Sequence, residues 1–197
     1  MTKSVEFFFD VGSPAAYLAW TQLPRIAAEC SATIVWRPML LGGVFKATGN
    51  VSPVSIAAKG RWLMADLSRW AARYGVPLTL PADFPINTLP LMRGAVGMQL
   101  NYPQDLGRYL TAVFHGIFAR GLAMGDAAVV AQVLNDAGFD AAQFQTLTSE
   151  PAVKQALITN TEEAIARGVF GAPSMFVDDV MHFGQDRLDF VAVALRG

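Results

Sequence analysis

The sequence predicts an α/β fold in the order β-α-β, a long helical stretch, then α-β-β-α. Three observations predict it. A strand, a Ser-Pro helix start and a second strand follow one another between Val5 and Pro38. From Ser149 onward come a helix, two short strands separated by a two-residue turn, and a final helix. Between these ends, Leu41 to Thr148 reads as helical.

Val5 to Phe9 is a short aromatic and β-branched run, the composition of a buried strand. Gly12-Ser13-Pro14 ends it and starts a helix. Ser is a good N-cap, and Pro at the first helical position lacks only an amide that would have no partner there. Tyr17, Leu18, Trp20, Leu23, Ile26 and Ala27 follow at helical spacing, with Pro24 expected to kink the helix or displace its last turn. Thr33 to Arg37 is the second strand, closed by Pro38, and the crossover should make the two strands parallel. In the middle, Arg61 to Tyr74 stops at Gly75, Thr88-Leu89-Pro90 starts a helix, Pro103 to Ala119 carries one apolar face, and Asp126 caps Ala127 to Ala137. Ser149-Glu150-Pro151 starts a helix that should run to Arg167 and stop at Gly168. Ser174 to Val177 and Val180 to Phe183 are strands joined at Asp178-Asp179, and Asp186 to Leu195 is the last helix. No linker or low-complexity tract separates the middle from the rest. We therefore expect residues 1–40 and 149–197 to form one α/β unit and residues 41–148 to be a helical insertion docked on it.

A chain of 197 residues fits one domain with a large insertion. Apolar residues make up 53% and charged residues 16%, against roughly 25% charged in an average soluble protein. Such a chain can bury a sizeable core, which excludes disorder. Fifteen Lys and Arg against sixteen Asp and Glu leave a net charge of −1 with no basic stripe, which argues against a nucleic-acid partner. No apolar run is long enough for a membrane span, and no secretory leader is recognisable at the start of the chain. Cys30 is the single cysteine, so neither an intramolecular disulfide nor a CxxC pair exists. His115 and His182 are far apart without further ligands at metal spacing, so no metal site is expected. A cytoplasmic protein is the expectation.

Few residues suggest chemistry. Ser13 reads first as a helix N-cap. The same geometry, a hydroxyl beside free amides at the positive end of a helix, also receives an anion. No partner marks Ser13 as a covalent nucleophile. Ala172-Pro173 reads as an ordinary strand entry, or as a cis element that presents the Ala172 backbone to a ligand. Gln185 and Asp186 read as helix-capping residues, or as an amide and a carboxylate for a zwitterionic ligand. Asn50 and Asn87 read as turn and loop residues, and Lys59 as a solvated charge.

The element order, with a Pro before the third strand, resembles the thioredoxin fold of the DsbA type. In those disulfide oxidoreductases Cys-Pro-x-Cys opens the first helix. Here the run is Ser13-Pro14-Ala15-Ala16, which removes both thiols and with them dithiol exchange. The stretches Phe7 to Leu18, Trp36-Arg37-Pro38 through Gly42 to Asn50, Phe84 to Thr88, Gly168 to Pro173 and Phe183 to Leu188 resemble the 2-hydroxychromene-2-carboxylate isomerases. These are close kin of the kappa-class glutathione transferases, and the stretches occur in the family's order over nearly the whole chain.

The resemblance implies a glutathione site. Ser13 would contact the glutathione sulfur, the backbone of Ala172 before Pro173 would pair with the cysteinyl part, and Gln185 and Asp186 would hold the γ-glutamyl end. Asn50 and Lys59 would reach the peptide's other groups, and Arg37, Asn87 and Tyr17 would face the substrate. A free thiol titrates near pH 8.5, and a helix N-terminus with a hydroxyl donor lowers that value. The implied substrate is a small aromatic carboxylate, 2-hydroxychromene-2-carboxylate, whose ring-opened isomer is trans-o-hydroxybenzylidenepyruvate. Glutathione would return unchanged, and a homodimer is implied. Two other readings stay open: a kappa-like transferase or peroxidase that consumes glutathione, and a non-catalytic thioredoxin-fold binder of glutathione or a peptide.

Overall fold

Three consecutive phenylalanines explain the centre of the molecule. In the computed structural model, which describes residues 3–197, β1 (Ser4–Phe9) holds Phe7, Phe8 and Phe9 with no solvent exposure. Strand alternation sends Phe7 and Phe9 to one face and Phe8 to the other. Phe7 and Phe9 meet Trp36, and Phe9 meets Phe114, in the larger core. Phe8 packs with Phe176, Met39, Val44 and Val169 in a smaller one.

β2 (Thr33–Pro38) lies parallel to β1, with Phe8 opposite Arg37. β3 (Ser174–Val177) and β4 (Val180–Phe183) form a hairpin, and β3 runs antiparallel to β1. The sheet order is β2-β1-β3-β4. This is the mixed sheet of a thioredoxin-like fold, and the described residues between 41 and 148 contribute no strand to it.

α1 (Pro14–Glu29) connects β1 to β2 and buries Ala16, Tyr17, Leu18, Leu23 and Ile26. It continues as α-helix through Pro24 to Glu29, so the expected break does not occur. Leu23, Ile26 and Ala27 are buried around the lost amide, and their packing holds the last turn in helical form. The insertion contains α2 (Leu41–Thr48), α3 (Ala57–Tyr74), α4 (Leu89–Asn101), α5 (Leu106–Phe114), α6 (Ala127–Asp136) and α7 (Ala141–Ser149). The stretch expected as one helix from Pro103 to Ala119 is divided. It opens with a 3₁₀ turn, continues as α5 and ends in a π-helical turn at His115–Ala119. α8 (Pro151–Ala166) covers the Phe8 face, and Gly168 follows it with φ +83°. The last helix begins later than expected. Gln185–Arg187 is a 3₁₀ turn, and α9 is Leu188–Arg196.

Candidate active site

The end of β1 delivers Ser13 to the N-terminus of α1. Ser13 Oγ accepts the Ala16 amide at 3.1 Å, the bond of an N-cap, and no acidic residue occupies the first turn of the helix. The positive end of the helix is therefore not offset from within its own first turn. The same hydroxyl donates to the carbonyl oxygen of Ala172 at 3.0 Å. Ser13 is 5% exposed, so little of it meets solvent.

The Ala172–Pro173 peptide bond is cis, as is Phe84–Pro85. Two hydrogen bonds tie the Ala172 loop to other expected site residues. Asn50 Nδ2 donates to the carbonyl of Phe170 at 2.9 Å, which brings the turn after α2 to this loop. The Gly184 amide donates to the carbonyl of Pro173 at 3.0 Å, which brings Gln185 and Asp186 beside it. Gly184 adopts φ +102°, and a Cβ there would lie 2.4 Å from Asp186 Oδ1. The turn therefore requires glycine, and the Asp186 carboxylate folds back over it. Asp186 also pairs with Arg187 at 2.7 Å. Gln185 is buried, and its carbonyl accepts the Tyr74 hydroxyl from α3 at 2.7 Å. Burial pushes the Tyr74 phenol up to about 12, so it remains a donor at neutral pH.

The structure thus brings Ser13, Ala172, Pro173, Asn50, Gln185 and Asp186 into one connected set. The other expected residues stand apart from Ser13 in different ways. Lys59 is exposed near the start of α3. Tyr17 lies one helical turn past Ser13 but is fully buried among Trp20, Phe114 and Phe118, and its hydroxyl donates to the Pro77 carbonyl at 2.9 Å. Asn87 is exposed, accepts the Leu89 amide, and lines a small cavity of about 180 Å³ with Pro90, Leu91 and Met124. Arg37 belongs to the opposite face of the sheet. It pairs with Glu163 of α8 and with Glu6 at 3.6 Å, and it lies over the Phe8 ring. Arg167 joins the same network through Glu6 at 2.7 Å. The charge of Arg37 is met by these two carboxylates, and no hydrogen bond links it to the Ser13 cluster.

Two buried polar residues behind Ser13 did not stand out in the sequence. Asp10 is 2% exposed and accepts the Gly12 amide at 2.9 Å, the Leu41 amide at 2.8 Å and the Thr88 hydroxyl at 3.1 Å. Its own carbonyl accepts the Ser13 amide at 3.0 Å. Burial pushes the Asp10 carboxyl above the usual carboxylate range, against the opposing pull of those donors. The available signal was an acidic residue directly after the apolar run Phe7-Phe8-Phe9. Thr88 precedes α4 but makes no capping bond with its side chain, because the hydroxyl is committed to Asp10.

Comparison with known proteins agrees with this fold. The DSBA-like thioredoxin domain matches residues 4–196. The chain is 36% identical to a 2-hydroxychromene-2-carboxylate isomerase of Sphingobium xenophagum over 97% of each chain. It is 32% identical to glutathione S-transferase kappa 2 of Caenorhabditis elegans, over 99% of this chain and 94% of the other. A solved 2-hydroxychromene-2-carboxylate isomerase superposes with a TM-score of 0.86 at 33% identity, covering 98% of this chain and 94% of that one. DsbA of Pseudomonas aeruginosa, at 16% identity and a TM-score of 0.59, shares the fold. The chain belongs to the DSBA-like thioredoxin family, in the group that contains the 2-hydroxychromene-2-carboxylate isomerases.

Proposed function

We propose that the protein is a glutathione-dependent isomerase that interconverts 2-hydroxychromene-2-carboxylate and trans-o-hydroxybenzylidenepyruvate. The observation that carries this reading is the pairing of Ser13 with Ala172 at the positive end of α1, in a chain whose helix start holds no cysteine. A thiol chemistry site without a thiol of its own fits a thiol brought by a cofactor.

The residues fit glutathione group by group. The Ser13 hydroxyl and the α1 amides suit a thiolate. The Ala172 backbone, next to the cis bond, offers a peptide edge for the cysteinyl part. Asp186 offers a carboxylate for the γ-glutamyl ammonium, with Gln185 beside it, and Asn50 and Lys59 offer donors for the remaining peptide and carboxylate groups. When bound, glutathione would supply a thiolate for reversible addition at the ring-opened enone, the carbonyl taking up the displaced electron pair and returning it as the thiolate leaves.

Each protein group has one task. The Ser13 hydroxyl turns from the Ala172 carbonyl to the sulfur and donates to it, favouring the charged form. The Ala172 carbonyl, released from Ser13, accepts a peptide N–H of the cofactor instead. The helix end holds negative charge where it develops, beside a hydroxyl that is almost wholly buried. Gln185 and Asp186 fix the far end of the cofactor and so set the depth of the sulfur. Asn87, exposed just before α4, is the group proposed to reach the aromatic carboxylate, whereas Tyr17, fully buried, supports the first turn of α1 from within the core and Arg37 stabilises the far face of the sheet.

In the same reading, residues 1–40 and 149–197 form the unit that carries the cofactor groups, and residues 41–148 the helical cover. The reading also includes a homodimer in the cytoplasm, which sedimentation and cell fractionation test. The test of the function is incubation with the chromene carboxylate, with and without glutathione, followed by ultraviolet absorbance. Interconversion only in the presence of glutathione supports the isomerase. Conjugation of an aryl halide or reduction of a hydroperoxide, without isomerisation, assigns the chain to kappa-like chemistry instead. Glutathione binding with neither activity leaves a binding protein.

A further inference from the structure

Asp10 is a buried carboxylate at the meeting point of three helix starts. Its Oδ1 accepts the amide of Gly12, just before the Ser13 cap of α1, at 2.9 Å. Its Oδ2 accepts the amide of Leu41, the first residue of α2, at 2.8 Å, and the hydroxyl of Thr88, which precedes α4, at 3.1 Å. The Asp10 carbonyl accepts the Ser13 amide at 3.0 Å. Thus the residue holding the thiol-facing hydroxyl is fixed from the backbone and the side chain of one aspartate. The far end of α2 leads to Asn50, which bonds the Phe170 carbonyl two residues before Ala172. Both sides of the Ser13–Ala172 pair are therefore tied to elements that start at Asp10.

The chemistry needs a carboxylate. All three side-chain partners are donors, and an ionised carboxylate only accepts. An amide would turn its NH₂ toward either the Gly12 amide or the Leu41 amide, leaving two buried donors facing each other. Space is equally constrained. A Cβ on Gly12 would stand 2.6 Å from Thr88 Cγ2 and 3.4 Å from Asp10 Oδ1, so the turn closes on this cluster without slack.

We propose that Asp10 is the positioning residue of the thiol site: its carboxylate fixes the Gly12–Ser13 turn against the starts of α2 and α4 and so sets where the Ser13 hydroxyl stands. This rests on the glutathione reading above. Displacement of a reacting group by about 1 Å costs up to about a hundredfold in rate. Asp10→Asn should therefore lower kcat at saturating glutathione about ten- to a hundredfold. KM for glutathione should stay within about threefold, because the groups proposed to bind uniformly are untouched.

The diagnostic readout is the ultraviolet thiolate band of enzyme-bound glutathione against pH. Removing a negative charge would, through its field alone, make a nearby thiol ionise at lower pH. Loss of the Ser13 position does the opposite, so the band of Asp10→Asn should appear at higher pH than in the wild type. Thr88→Val removes one of the three bonds with little change of shape and should move the band the same way by less. If Asp10→Asn shows no cooperative thermal unfolding, Thr88→Val decides alone. A band that stays in place or moves to lower pH in the decisive variant, with the wild-type band present, overturns the assignment of Asp10. Absence of the band in the wild-type protein overturns the glutathione reading and this assignment with it.

Discussion

The hydroxyl of Ser13 donates a 3.0 Å hydrogen bond to the carbonyl oxygen of Ala172, 159 residues further along the chain. This bond joins the first helix to the loop before β3, so the two halves of the candidate site meet in the folded chain. It also engages the hydroxyl proton, while Oγ accepts from Ala16. Turning that proton onto a thiolate is the step on which the proposed chemistry depends.

Ser13→Ala removes two things. The N-cap bond to Ala16 is lost, which lowers stability by about 1 kcal/mol. The donor to the thiolate is lost as well, worth roughly 1.5–3 kcal/mol, or about ten- to a hundredfold in rate. Thermal unfolding and the isomerisation rate measure the two separately. A full rate with a lowered melting temperature would reduce Ser13 to a helix cap.

Asp186→Asn should weaken glutathione binding while the chemical step persists. Asp186 sits beside Gly184 and Arg187, and its proposed partner is the end of the cofactor remote from sulfur. Uniform binding lost in this way raises KM for glutathione with kcat nearly kept. Steady-state kinetics at saturating glutathione checks this, and a collapse of kcat would give Asp186 a different role.

Arg37→Gln should act on stability. The side chain bridges Glu6 and Glu163 over Phe8, and its loss leaves these half-buried carboxylates with Arg167 alone. We expect a loss of about 1–2 kcal/mol in denaturant unfolding, discounted for partial exposure, with KM for the substrate unchanged. A raised substrate KM in a fully stable variant would return Arg37 to the substrate site.

His182 makes the fold sensitive to mild acid. Its Nε2 is buried without a partner, and burial lowers its pKa below the ordinary 6.5. The unfolded chain then binds a proton that the folded chain refuses, so this contribution is full above pH 6.5 and is lost as pH falls from there toward the folded value. His182→Gln should flatten the stability profile between about pH 7 and pH 5.5. An unchanged slope in urea titrations at the two pH values would show that other groups set it.

The elements were legible where local chemistry and tertiary packing agree. The β1 phenylalanines, the Ser13-Pro14 start, the Asp126 cap and the hairpin at Asp178-Asp179 are read from neighbouring residues alone. α2 and α7 were not separable within the helical stretch. Leu40 before α2 makes no side-chain cap, and nothing local there distinguishes a helix start from a loop. α7 is capped by Asp140, whose side chain accepts the Ala142 and Gln143 amides, but a lone Asp in a helical stretch does not by itself separate two helices. The bonds joining Ser13 to Ala172 and Asp10 to Leu41 and Thr88 span 31 to 159 residues, and no local pattern encodes them. The resemblance implied one site for Ser13 and Ala172 without the bond between them, and did not point to Asp10. Arg37 shows the reverse: a motif position read as substrate-facing, which the sheet turns toward two carboxylates instead.

In the proposed reaction the chain borrows its thiol and gives it back. Glutathione is counted before and after many turnovers of 2-hydroxychromene-2-carboxylate, by thiol titration on the quenched mixture. Product should accumulate to many times the glutathione present while the free thiol stays constant, and omitting glutathione should stop the reaction. Loss of one glutathione for each substrate converted, or full activity without it, would show that the thiol is consumed or not needed and overturn the proposed isomerase.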